Sequence, residues 1–191
     1  MNSWNAAEFY HWYSRMPNDE RKRRAWDDLG QAERKLYEEY WTFRKFAKIA
    51  PLDIDPRTIE NREPPEPDIL CDISRNHHYF ELGEVTDEKL AQKAGVAAKQ
   101  KQETFAGTFS QLDTLIRIFD KKCSKKYVTN GFPLHLLLHY TVGHQVPHIP
   151  HIKAEISKEK HLVVAKLQNS PFSTMWLYDG WDNIVIAHVE R

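Results

Sequence analysis

Glu66-Pro67-Asp68-Ile69-Leu70, followed by Tyr79-Phe80-Glu81-Leu82-Gly83-Glu84-Val85-Thr86, decides how this chain reads. Each stretch is a short apolar run carrying a carboxylate, and a polar Ser74-Arg75-Asn76 turn lies between them. The pattern predicts strands over about 68–73 and 78–86. Side chains alternate across a strand, so Asp68, Leu70 and Asp72 share one face, with Ile69, Cys71 and Ile73 on the other. On the second strand Tyr79, Glu81, Gly83 and Val85 share a face, opposite Phe80, Leu82 and Glu84. Antiparallel pairing would bring Asp68 and Glu81 together. An acidic pair on adjacent strands suits a hard divalent cation, because Mg²⁺ takes oxygen ligands through one or two carboxylates plus water.

Working outward, residues 1–49 read as a helical region. Trp4, Phe9, Trp12 and Tyr13 recur at roughly helical spacing, and a second helix runs from Gln31 through Leu36, Tyr40, Trp41 and Phe43 to about Ala47. Its apolar residues are spread around the cylinder, so it is expected to be buried between other elements. Five prolines (Pro51, Pro56, Pro64, Pro65 and Pro67) make 50–67 an irregular connection. Downstream, 87–121 reads as one long helix, or two broken near Gly95 or Gly107, with a stripe of Leu112, Leu115, Ile116 and Phe119. Leu134 to Tyr140 reads as a strand covered on both faces. Phe172–Tyr178 and Asn183–Val189 are expected to pair as a closing hairpin across Asp179-Gly180-Trp181-Asp182. The fold class is therefore α/β: a mixed sheet flanked by helices, with a helical N-terminal extension and a core over 68–191.

In order and spacing, the Glu-Pro-Asp entry, the Glu81 strand, the long following helix and the later buried strand resemble the PD-(D/E)XK nuclease superfamily. The resemblance covers about residues 60–190 in element order, and its specific motif rests on a handful of residues. It implies a restriction-endonuclease-like fold and Mg²⁺- or Mn²⁺-dependent hydrolysis of phosphodiester bonds in DNA or RNA, with Asp68 and Glu81 holding the metal. One position departs: two residues beyond Glu81, where the superfamily carries a lysine, stands Gly83. Three readings stay open. The cation comes from the following helix, Lys93 or Lys89 first and Lys99 also at hand; Glu84 adds a further acid; or the site has decayed and the scaffold serves binding. Some superfamily members also carry an acid on a helix before the first motif, and Glu33, Glu38 and Glu39 are candidates.

Bulk composition narrows the partners. Twenty-seven basic residues balance 27 acidic ones over 191 residues, so no global field draws the chain to nucleic acid, and binding there needs a local patch. Arg21 to Arg24 form a basic cluster that reads as a solvated helix face. The longest apolar run, Phe132 to Leu138, is too short to cross a bilayer. No signal-peptide pattern opens the chain, and two cysteines suggest free thiols, so a cytoplasmic protein is expected. The histidine-rich run holding His144, His148 and His151 contains Pro147 and Pro150, which argues against a helical zinc site. His135 and His139 alternate with leucines and read as core groups, unless one faces the acidic pair. No phosphate-binding glycine loop, nucleophile elbow or CxxC pair is present. The competing class is a non-catalytic interaction or regulatory module on the same scaffold, contacting a protein partner through its aromatic N-terminal helices.

Overall fold

Six strands lie side by side in chain order, because every connection returns the chain to the next position in the sheet. The computed structural model describes residues 29–86, 111–140, 149–180 and 182–191. Helix α1 (Gln31–Ile49) leads through the proline-rich connection to β1 (Glu60–Asn61), β2 (Ile69–Ile73) and β3 (Asn76–Glu84). Helix α2 (Gln111–Cys123) precedes β4 (Leu134–Tyr140); α3 (Ile149–Lys158) and α4 (Lys160–Gln168) precede β5 (Thr174–Asp179) and β6 (Ile184–Glu190). β1, β2 and β3 are antiparallel neighbours. β3, β4 and β5 run parallel, and β6 turns back antiparallel on β5.

The β2–β3 turn has a local cause. Ser74 and Arg75 both take positive φ, 49° and 71°, which is the left-handed two-residue turn that matches strand twist. It sets the register Ile73↔Asn76 and hence Ile69↔Phe80. The fully buried β4 follows from its sequence: all seven residues are buried, as a strand covered on both faces requires.

The faces of the sheet carry two separate cores. On one, Leu115, Ile118 and Phe119 of α2, Ile152 and Ile156 of α3, and Val163 and Leu167 of α4 pack on Tyr79, Leu136, Leu138 and Leu177. Lys166 of α4 pairs with Asp120 of α2 at 2.7 Å. On the other face, Phe43 and Phe46 of α1 pack with Ile69, Cys71, Phe80, Leu82, Leu137, Trp176 and Tyr178. Phe46 meets Phe80, Trp176 and Tyr178 with ring centroids 5.4 to 6.1 Å apart, and truncating such a side chain costs about 3–5 kcal/mol.

Thr42, Phe43 and Phe46 are the buried residues of α1, and the two phenylalanines join it to the sheet. The 149–168 region, read from sequence only as a mixed segment, forms two helices. Pro150 sits in the first turn of α3, where its missing N–H removes no intrahelical bond. The expected break near Gly95 or Gly107, the basic cluster Arg21–Arg24, Trp181, His144 and His148 lie outside the described residues. Among the described residues, no helix is long and apolar enough to cross a membrane. Both cysteines are free thiols, Cys71 buried and Cys123 half-buried.

Candidate functional site

The β2–β3 register, extended by one residue, sets Asp68 opposite Glu81. Asp68 stands just before β2 rather than within it, and its Oδ2 accepts the Leu82 backbone N–H at 2.8 Å. The Arg62 N–H reaches the Asp68 carbonyl at 2.9 Å, and Arg62 pairs with Glu66, also at 2.9 Å, which ties the proline-rich connection to the strand entry. Glu81 projects from the middle of β3 toward the α2 face and is 2 % exposed. A carboxylate that buried needs positive partners.

Two lysines supply them. Lys122, in the last turn of α2, places Nζ 2.7 Å from Glu81 Oε1 and 3.9 Å from Asp68 Oδ2. Lys125, just past the helix end, donates to the same Glu81 oxygen at 2.8 Å. The Tyr127 hydroxyl donates to the Lys122 carbonyl at 2.8 Å and pins the segment that carries both lysines. The charges resolve asymmetrically. Burial opposes the Glu81 charge, but Lys122 and Lys125 outweigh it and hold this carboxyl below its ordinary value. Asp68 goes the other way: burial, then the Glu81 charge, raise its carboxyl despite Lys122 and the Leu82 N–H.

Gly83 is closely packed. A Cβ there would lie 2.8 Å from Leu138 Cδ2, 3.2 Å from Ile118 Cγ2 and 3.5 Å from Lys122 Cε. No side chain fits at that position without displacing buried leucine and isoleucine. The Lys122 stem fills the adjoining space, and its ammonium reaches Glu81 from α2. Lys122 was not singled out from the sequence. Its signal was the stripe of Leu115, Ile118 and Phe119, which turns Lys122 toward the sheet four residues beyond Ile118. Lys89 and Lys93, like Lys99, lie outside the described residues.

The helix-borne acids separate by location. The Glu33 carboxylate accepts the Gly30 N–H at 3.0 Å and caps α1. Glu38 is raised by burial and then by the charge of Glu84, which lies on the opposite face from Glu81. Glu39 is raised first by burial and then by the Asp68 charge, and Lys35 pairs with it at 3.0 Å. Asn61 Nδ2 donates to the Leu36 carbonyl at 3.0 Å, fastening α1 to the strand that neighbours β2. Glu39 thus joins the electrostatic field of the site, while Glu84 points away from it.

The donor chemistry suits a divalent cation. Two carboxylates face each other across paired strands, and the Lys125 ammonium already stands where positive charge is needed on Glu81. Among the described residues, no group of three or more His, Cys, Asp or Glu side chains converges as a metal site. An ion here would take Asp68 and Glu81 and complete its shell with water, the habit of Mg²⁺.

The strand histidines lie elsewhere. Leu136 is the β4 residue opposite Glu81, which turns His135 and His139 to the α1 face. His135 bonds His78 at 2.8 Å and Thr174 Oγ1 at 2.8 Å, and burial, then His78 and His188, depress it to about 4. His139 is depressed by burial and then by Lys122 to about 3. His151 is exposed and pairs with Glu155 at 3.2 Å. Comparison of the chain with protein-family models, curated proteins and solved structures finds no match.

Proposed function

We propose that the chain is a divalent-metal-dependent phosphodiesterase of the PD-(D/E)XK type, acting on DNA or RNA. The observation that carries this reading is the meeting of Asp68, Glu81 and Lys122 at one point of the sheet, with a glycine where a strand-borne lysine would stand. The hairpin, the helix α2 and the parallel β4 that position them follow the order the superfamily resemblance implies. Mg²⁺ or Mn²⁺ held by Asp68 and Glu81 would supply Lewis acidity toward a phosphoryl oxygen and a lowered pKa for water. Lys122 keeps a fixed ammonium beside both carboxylates, where it orients a water or neutralises charge building on phosphate. Glu39 adds negative field that favours a cation at Asp68. Neutral net charge fits a protein brought to its nucleic acid by a partner rather than by its own field.

One observation favours a second reading. Glu81 is already satisfied by two lysines, as in a purely structural ion cluster, and a scaffold retained for protein interaction would keep such a cluster. Incubating supercoiled DNA, linear DNA and RNA with Mg²⁺ or Mn²⁺ separates the two. Metal-dependent cleavage lost in Asp68→Ala and Glu81→Ala is the expected result. A folded wild type without cleavage or metal binding would favour the interaction module.

A further inference from the structure

The two lysines on Glu81 differ in every respect except their distance from it. Lys122 is anchored: its side chain is 15 % exposed, its Cε lies 3.5 Å from where a Gly83 Cβ would stand, and its ammonium lies 2.7 Å from Glu81 and 3.9 Å from Asp68. Lys125 stands beyond the helix end with its side chain 48 % exposed, and its bond to Glu81 Oε1 is its one side-chain hydrogen bond among the described residues. One carboxylate oxygen therefore carries two ammonium groups at 2.7 and 2.8 Å. That crowding places two like charges next to each other on a single acceptor. Lys122 cannot leave without stranding Glu81 and Asp68, whereas the exposed Lys125 can rotate into water on a flexible four-carbon stem.

Building on the proposed metal site, we infer that Lys125 is a built-in competitor for the divalent cation, a monovalent stand-in that holds Glu81 until a metal displaces it. The ammonium neutralises Glu81 in the metal-free protein and keeps the acidic pair from repelling itself apart. A divalent ion held by Asp68 and Glu81 would offer Glu81 a larger charge, and the Lys125 head group would regain its hydration on release. Metal loading is thus an exchange of cations, and the metal affinity of the site is set by how firmly Lys125 holds on. Lys122 remains in place throughout, so the site keeps its fixed cation in both states.

Calorimetric titration of the metal-free protein with Mn²⁺ tests this without reference to turnover. Lys125→Met retains the stem and removes the competitor, and should bind Mn²⁺ about tenfold tighter, the worth of one half-exposed charged hydrogen bond. Lys125→Arg keeps the charge and should bind as the wild type does or more weakly. Lys126→Met removes a neighbouring exposed charge that has no bond to Glu81, and should leave the affinity within about twofold, as screened surface charges do. Equal affinity in wild type and Lys125→Met would overturn the exchange while leaving the metal site standing. Equal tightening in Lys125→Met and Lys126→Met would overturn it too, reducing the effect to general electrostatics. Absence of Mn²⁺ binding in wild type and Lys125→Met, both folded by circular dichroism, would overturn the metal site itself.

Discussion

Replacing Asp68 with asparagine should make the protein more stable and, on the proposed function, inactive. In the folded chain burial and the facing Glu81 charge raise the Asp68 carboxyl above its ordinary value of 3.8. A carboxyl raised in this way binds its proton more tightly folded than unfolded. It therefore withdraws stability as pH climbs from 3.8 through the folded pKa. Lys122 does not cancel it. Lys122 attracts the Asp68 charge from 3.9 Å, but burial and the Glu81 charge act on Asp68 more strongly. Asparagine keeps an oxygen to accept the Leu82 N–H and removes the charge. The expected gain is about 1 kcal/mol, as when a functional site's destabilising charge is relieved, or about 2–4 °C in Tm for a chain of this length. Urea unfolding in EDTA at pH 7 measures it. The difference from wild type should shrink below pH 4, where the aspartate is protonated in folded and unfolded chains alike. Glu81 contributes in the opposite sense, since its depressed carboxyl stabilises above the ordinary value of 4.5 and loses that contribution as pH falls. A loss of stability at pH 7 in Asp68→Asn would refute the reasoning, because it would make the Asp68 charge a net structural tie to Lys122.

Lys122→Met should do the reverse, destabilising by about 2–4 kcal/mol because Glu81, 2 % exposed, loses the closer and less exposed of the two ammonium groups on it; chemical unfolding checks this, and cleavage should be lost with it. Gly83→Ala should cost about 1–3 kcal/mol through overpacking against Leu138 and Ile118 and should move Lys122, read as a fall in Tm together with weaker cleavage at equal metal. His135 and His139 are held neutral, depressed to about 4 and about 3. The folded chain thus binds fewer protons than the unfolded one below the ordinary value of 6.5, and stability should decline as pH falls from 6.5 toward 4. His139→Leu should flatten that decline in urea titrations at pH 7, 6 and 5.

The β2–β3 hairpin was legible because it depends on local signals: alternation, a polar turn, and the phase that puts Asp68 and Glu81 on one face. The buried β4 and the closing hairpin were legible for the same reason. Lys122 was not, because its role rests on a contact between residues 41 apart that strand alternation does not encode. The motif drew attention to the position two beyond Glu81 and to the nearest downstream lysines, whereas the lysine that meets Glu81 stands at the far end of α2. Glu39 could not be told from Glu33 and Glu38 by sequence, since the choice depends on how α1 is rotated on the sheet, and Phe43 and Phe46 fix that rotation through Phe80 and Trp176. Helices α3 and α4 escaped notice because Pro147 and Pro150 read as breakers, though Pro150 sits where a helix tolerates it.

The most direct measurement is the anomalous diffraction of crystals grown with saturating Mn²⁺. The account predicts one ion about 2.1–2.2 Å from carboxylate oxygens of both Asp68 and Glu81, with Lys122 still at Glu81 and Lys125 turned away. A crystal with no Mn²⁺ at this pair, and both lysines still bonded to Glu81, would contradict it.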